Sequence, residues 1–247
     1  MSTAAVAAVL CLWFAVGRWG LVNPLFLPGP EEVALTGYDL MVDGYRDVSL
    51  FGHIFVSMAR ALVAFFLAAL TGIPVGIAMG MSPTFNAVLD PFVQFLRPLP
   101  KLALIPLVIV WFGIGEFSKV LLIYLATFLT IVVSSAAAVM TVSEGRVRAA
   151  QSLGVNGWQM FRHVILPSAL PELFTGVRVG IGIGWTTLIA AEMIASTSGL
   201  GWMVMNASSY LRTDVVMLGI VVLGITGYLL DLSLVAAQRR WVHWMGK

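Results

Sequence analysis

Charge is what this sequence has least of: 11% of its 247 residues are Asp, Glu, Lys or Arg, against about 25% in an ordinary soluble domain. Hydrophobic residues make up 60% and the mean hydropathy is +0.96. A chain of this length cannot turn that much apolar surface inward, so the composition describes an integral membrane protein. The formal charge of +2 is scattered along the sequence, which excludes a nucleic-acid face, since that needs basic residues gathered on one side. Cysteine is nearly missing. Cys11 stands alone inside an apolar run, so neither a disulfide framework nor a thiolate metal site can be built, and no metal is expected. Lysine is almost as rare, occurring only at positions 101, 119 and 247. None stands in the G-x-x-x-x-G-K-[ST] context whose backbone amides cradle phosphate, so any ATP is hydrolysed in another chain. His53, His163 and His243 are far apart, no HExxH pattern or pair of intramembrane Asp occurs, and Ser168 has no evident base. Enzyme chemistry is therefore not expected of this chain.

Long apolar runs are abundant, and a spanning helix needs about 20 such residues. Six can be placed, at about 4–22, 54–80, within 88–112, 120–142, 173–195 and 215–237. No alternation with period two recurs over ten-residue segments, which excludes a transmembrane barrel. The fold class is therefore an all-α, polytopic bundle of about six transmembrane helices. An N-terminal part, residues 1–53, would hold the first span and an acidic loop, and residues 54–247 the core, with a polar loop at about 143–167.

Orientation follows from the placement of Lys and Arg. The stretch 23–53 carries Glu31, Glu32, Asp39, Asp43 and Asp47 against Arg46 alone, whereas the later polar loop and the C-terminus carry Arg146, Arg148, Arg162, Arg239, Arg240 and Lys247. The basic side faces the cytoplasm. An even number of spans then puts both termini there and the acidic loop outside. The first span is a weak topogenic signal, because Arg18 lies at its outer end and no basic residue precedes it. It lacks the basic start and small-x-small site of a signal peptide.

Within the spans, Gly72, Gly76 and Gly80 repeat every four residues, as do Gly176, Gly180 and Gly184. Such faces let helices approach closely in lipid. The Gly180–Gly184 run is not a dinucleotide fingerprint, since no strand precedes it. The third segment contains Pro98, Pro100 and Pro106 and cannot be one regular helix. Irregular backbone at membrane depth must be buried in protein or face a watery cavity. Arg97 and Lys101 flank this break. They either snorkel to headgroups or stand beside a pathway, where they would suit an anionic solute. Glu172 and Arg178 pose the same choice. Glu192, Arg212 and Asp214 are candidates for an outer surface that meets another protein.

The polar island 148–167 is shaped like a handle. Ser143 is placed to cap a short helix through Val147, Ala150 and Leu153 that ends at Gly154, a residue suited to the left-handed position. Asn156 starts a second, with Gln159 three residues on as in a capping box. Trp158, Phe161 and Ile165 supply its apolar contacts and Pro167 is expected to stop it. Ala149 and Ala150 leave a shallow surface that another protein's groove can approach.

This island resembles the cytoplasmic loop of bacterial ABC importer permeases, whose pattern is Glu-Ala-Ala, three residues, Gly, nine residues, Ile, one residue, Leu-Pro. Here Arg148, Ala149, Ala150, Gly154, Val164, Leu166 and Pro167 keep that spacing, with Arg for Glu and Val for Ile. The segments PLFLPGP, GIPVGIAMG, RPLPKLALIPLVIVWFGIGE and AAEMIASTSGLGWM look like the taurine, sulfonate and nitrate permeases, the taurine branch most of all. The resemblance implies a type I ABC importer permease fold in the bacterial inner membrane, working by alternating access. It also implies a second permease copy, two ABC subunits holding ATP and Mg, and a periplasmic binding protein. The solute would be taurine or a related alkanesulfonate, with nitrate behind them. In this picture the fifth span lines the pathway at a two-fold axis, and Arg148 in place of Glu leaves open which ATPase residue meets that edge. A secondary carrier or channel is the alternative, but it would need an ion or proton site and gives the island no role.

Overall fold

The computed structural model describes residues 2–20, 22–242 and 244. His243 and Lys247, named above, lie outside the described residues. Every regular element among those described is helical. The first, α1 (Ser2–Arg18), is followed by α2 (Pro30–Val42), which opens with Pro30 in its first turn and Glu31 and Glu32 beside it. That start matches the preference of proline and acids for a helix N-terminus. Next, α3 (Leu50–Met81) runs for 32 residues and carries Pro74 inside. Ser82 then caps α4 (Pro83–Leu96), its hydroxyl accepting from the Phe85 amide at 3.3 Å.

Pro98 and Pro100 end that helix, and the chain resumes through a tight turn (Lys101–Leu104) into α5 (Ile105–Phe112). The two parts are bent by 84°, so the third segment is broken as its prolines require. Pro106 does not contribute to the break. It sits in the first turn of α5, where a missing N–H is harmless.

The sixth helix, α6 (Glu116–Met140), is followed by α7 (Glu144–Ser152) and α8 (Gly157–Met160) of the handle. A wide turn at Phe161–Ile165 leads into α9 (Leu166–Ala195), and α10 (Leu200–Ser209) and α11 (Thr213–Trp241) complete the chain. Four helical runs are long and apolar enough to cross a membrane, Leu50–Met81, Glu116–Met140, Gly157–Ala195 and Thr213–Trp241, and the bent pair makes a fifth if it counts as one span. At 17 residues, α1 is at the short limit for spanning.

Pro167 does not stop the handle's second helix. The backbone stays helical from Gly157 to Ala195, because Pro167 falls in the first turn of α9 and the register is absorbed by the wide turn before it.

The chain divides into two compact units. One comprises Met1–Ala59 and Ile189–Thr226. Its core is polar as well as apolar: Thr36, His53, Ser57 and Glu192 are buried beside Leu50, Leu200 and Met203. The other comprises Arg60–Leu188 and Gly227–Lys247. There α6 is the central element, and both glycine series meet it. A Cβ at Gly72 would lie 3.1 Å from Ile131, one at Gly76 would strike the Val132 carbonyl, and one at Gly80 would lie 2.6 Å from Val139. From the other series, Gly176 meets Ser134, Gly180 lies 3.0 Å from Ile131, and Gly184 meets Thr127. Backbone-to-backbone approach of this kind replaces the hydrophobic effect as the source of helix association in lipid.

Candidate functional site

The handle is built from local rules and anchored at its base. Ser143 occupies the N-cap position of α7, but its side chain makes no capping bond. Arg148 instead reaches back one turn to Glu144 at 2.6 Å, both largely exposed. The acid missing at position 148 is thus present four residues earlier, in the favourable order for such a pair. Gly154 adopts φ +72° with open space around it, and its amide bonds the Gln151 carbonyl at 3.0 Å. The capping box is complete: the Gln159 amide donates to Asn156 Oδ1 at 2.9 Å and the Asn156 amide to Gln159 Oε1 at 3.1 Å. Ile165 and Leu166 fix the base by packing on Ala138, Val139, Ala169 and Leu173.

What the handle offers to a partner is apolar. Leu153 is 83% and Trp158 66% exposed, with Trp158 leaning on Phe161 at 5.6 Å between ring centres. Ala149 is exposed. Ala150 is buried, so its methyl belongs to the handle's own interior. Val164, Leu166 and Pro167 are half-buried at the base.

A second site lies on the broken segment. Arg97 and Lys101 line a cavity of about 300 Å³ with Leu129, Thr130, Val133 and Ser134 of α6 and Val179 and Ile183 of α9. Lys101 Nζ donates to the Arg97 carbonyl at 2.6 Å. No carboxylate is among these lining residues. Three cations deeper in the spans do have carboxylates: Arg60 and Lys119, both buried, share Glu116 at 2.5 and 2.8 Å, and Arg178 makes two bonds of 2.8 Å to Asp231. Glu172 accepts from the Thr141 hydroxyl at 2.9 Å.

Glu192 requires a correction. It is fully buried and cannot meet a partner protein at the surface. The Ser57 hydroxyl lies 2.9 and 2.8 Å from its two oxygens, and the Gly201 amide donates to Oε2 at 2.9 Å. The Leu200 amide donates to Ser57 Oγ at 2.8 Å and the Gly199 amide to His53 Nδ1 at 3.1 Å. Three orphan donors at the start of α10 are thereby satisfied by side chains, with a carboxylate at the positive end of the helix. His53 Nε2 contacts the Tyr45 carbonyl at 3.2 Å and the ring stacks on Trp202, which makes His53 structural. Arg212 and Asp214 do pair, at 2.7 Å, and Asp214 also accepts from Thr36 at 3.0 Å. The carboxylate holds the Arg212 guanidinium above its ordinary value through these bonds, so it is charged at every physiological pH.

Sequence reasoning missed Ser57, Arg60, Glu116 and Asp231. For the last three the only advance signal was that a charged residue beside or inside an apolar span needs a partner; Ser57 gave none.

A polytopic helical chain with an exposed, internally capped handle between two spans and no phosphate cradle of its own is a transport subunit that takes its energy from another chain. The fold agrees with that class. The permease fold of the MetNI methionine ABC transporter, solved in an inward-facing conformation, superimposes with a TM-score of 0.66 at 21% identity, over 80% of this chain and 96% of that one.

The chain belongs to the family of binding-protein-dependent transport system inner membrane components, whose model matches residues 72–246. It is 49% identical over 248 residues to the taurine transport system permease protein TauC of Escherichia coli, covering 100% of this chain and 90% of that protein. It is 38% identical over 236 residues to the putative aliphatic sulfonates transport permease protein SsuC of the same organism, covering 96% and 88%. The chain is thus a multi-pass inner-membrane permease subunit of an ABC importer, not an enzyme, and the ATPase is a separate subunit.

Proposed function

We propose that two copies of this chain form the translocation pathway for taurine or a related alkanesulfonate, nitrate being the weaker alternative. Two ABC subunits, holding ATP and Mg, grip the handles of the pair from the cytoplasm, and a periplasmic binding protein delivers the solute. Both termini lie in the cytoplasm and the acidic stretch 23–53 outside. Arg212 and Asp214 belong to the face that receives the binding protein. The observation that carries the importer reading is the handle: Trp158 and Leu153 are exposed on a unit whose second helix starts in a complete capping box and whose first ends at a left-handed glycine, which suits a rigid plug for another protein's cleft. ATP-driven closure of the ABC subunits tilts the handles and opens the bundle outward, the shift being set by differential contacts in the two states.

A carrier would need a carboxylate in the bundle free to take up an ion or proton, whereas Glu116, Glu192 and Asp231 are already engaged.

The test is gentle purification of the tagged chain from its native membranes with mass spectrometry of what accompanies it, followed by uptake in proteoliposomes. A P-loop ATPase in a two-to-two ratio, lost with Trp158→Ala and Gly154→Trp, and ATP-dependent uptake of taurine are expected. Recovery of the chain alone, moving solute without ATP, would make it a carrier or channel.

A further inference from the structure

The structure assigns to this chain an oxyanion site of its own, at mid-depth in the membrane, formed by Arg97, Lys101 and the α6–α9 wall. It deepens the importer reading and rests on it for the identity of the solute, but not for the chemistry of the site.

Three observations converge. The first is depth: the lining stretch Leu129–Ser134 lies in the interior of the 25-residue α6, at least about 9 Å from either end of the helix. Cations there are expensive unless they face water or a ligand, so their presence points to a pathway. The second is charge. Arg60, Lys119 and Arg178 have carboxylates, but the cavity holding Arg97 and Lys101 has none in its lining. It therefore carries two positive charges in a recess where an anion supplies the missing counter-charge.

The third is shape and chemistry. The guanidinium fork of Arg97 matches a bidentate oxyanion. Lys101 is steadied by its bond to the Arg97 carbonyl and keeps further N–H donors. Leu129, Val133, Val179 and Ile183 form an apolar wall suited to a short alkyl chain. At about 300 Å³ the cavity is at the small end of ligand sites. The ligand class is a small sulfonate or similar oxyanion with a short aliphatic part.

The experiment uses membranes holding the chain with its partner subunits. Cys11→Ala removes the sole cysteine, and Val179→Cys places a thiol on the cavity wall. Its reaction with anionic sulfonatoethyl methanethiosulfonate is compared with that of the cationic trimethylammonioethyl analogue, each relative to a free thiol.

The anionic reagent is expected to react about tenfold faster, the size of effect that two nearby charges produce. Soluble ethanesulfonate should slow it, and Arg97→Gln with Lys101→Gln should erase the preference while the ATPase still co-purifies. Equal rates, no reaction with either reagent, or a preference that survives the double substitution would overturn the site. Protection that appears only with anionic lipid, and not with ethanesulfonate, would assign the charges to headgroups and overturn it too. Anion preference without ATP-driven uptake would remove the importer reading and leave the site standing. ATP-driven uptake without anion preference would do the reverse.

Discussion

Glu192 owes its role to the Gly201 amide and the Ser57 hydroxyl that it holds at the start of α10. An acid near the outer end of a span reads as surface, yet the SGLG turn that follows folds the start of α10 back onto it. Replacing Glu192 with Ala strands the Ser57 hydroxyl and the Gly201 amide, each buried group left unsatisfied costing about 1–3 kcal/mol. Glu192→Ala is therefore expected to lower the unfolding temperature of the detergent-purified protein strongly, and Glu192→Gln, which keeps an acceptor, by less. Gly199→Ala should resemble Glu192→Ala, since Gly199 has φ +115° and a Cβ there would meet the carboxylate. Gly154 makes the contrasting case. Its φ is +72° but its surroundings are empty, so Gly154→Ala adds only left-handed strain of about 1–2 kcal/mol. Membrane insertion should be unchanged and affinity for the ATPase reduced in a titration of the solubilised subunits. Ala150, being buried, reports on handle stability; Ala149→Glu is the cleaner probe of docking.

At the level of elements, the two glycine series converge on α6. A large side chain at Gly76 or Gly176 would have to displace backbone or Ser134, overpacking of the kind that costs about 1–3 kcal/mol or more. Gly76→Leu and Gly176→Leu should sharply reduce the monodisperse fraction in fluorescence-detected size-exclusion chromatography. Gly182→Ala, with nothing within 4 Å of its new methyl, should leave that fraction unchanged. Equal behaviour of all three would refute the close approach. Spacing in the sequence revealed these faces but not that both choose the same partner, because a period of four fixes a side of one helix only. The proline break, the Asn156–Gln159 capping box and the left-handed Gly154 were legible for the opposite reason, since they depend on residues a few positions apart, whereas the Ser143 cap did not form. The short helices α2 and α10 were missed because neither is long or uniformly apolar. In α2 the pattern was nevertheless present, with Val33, Thr36, Gly37 and Leu40 buried at helical spacing after Pro30, Glu31 and Glu32. Pro167 misled because proline ends a helix only when it falls beyond the first turn.

For the whole molecule, the sequence conveyed class and family through composition and the handle, while the partners of charged side chains depended on contacts between distant helices, such as Arg178 with Asp231 across 53 positions. Orientation can be read directly. In a Cys11→Ala background, Tyr38→Cys, at an exposed position of α2, should react with an impermeant thiol reagent on intact spheroplasts. Gln151→Cys in the handle should react only after the membrane is opened. The reverse pattern would invert the topology.

The handle is also the sole covalent link between α6 and α9, the two helices that wall the cavity. No flexible loop interrupts it on the α9 side, where the helix runs on from Gly157, and 141–143 are the only residues between α6 and α7. The arrangement is that of a pair of tweezers sprung at the bend. From Met160 to Val179 the arm measures about 28 Å, so a tilt of about 10° at the spring moves the cavity wall by about 5 Å, roughly the width of the anion it would have to release.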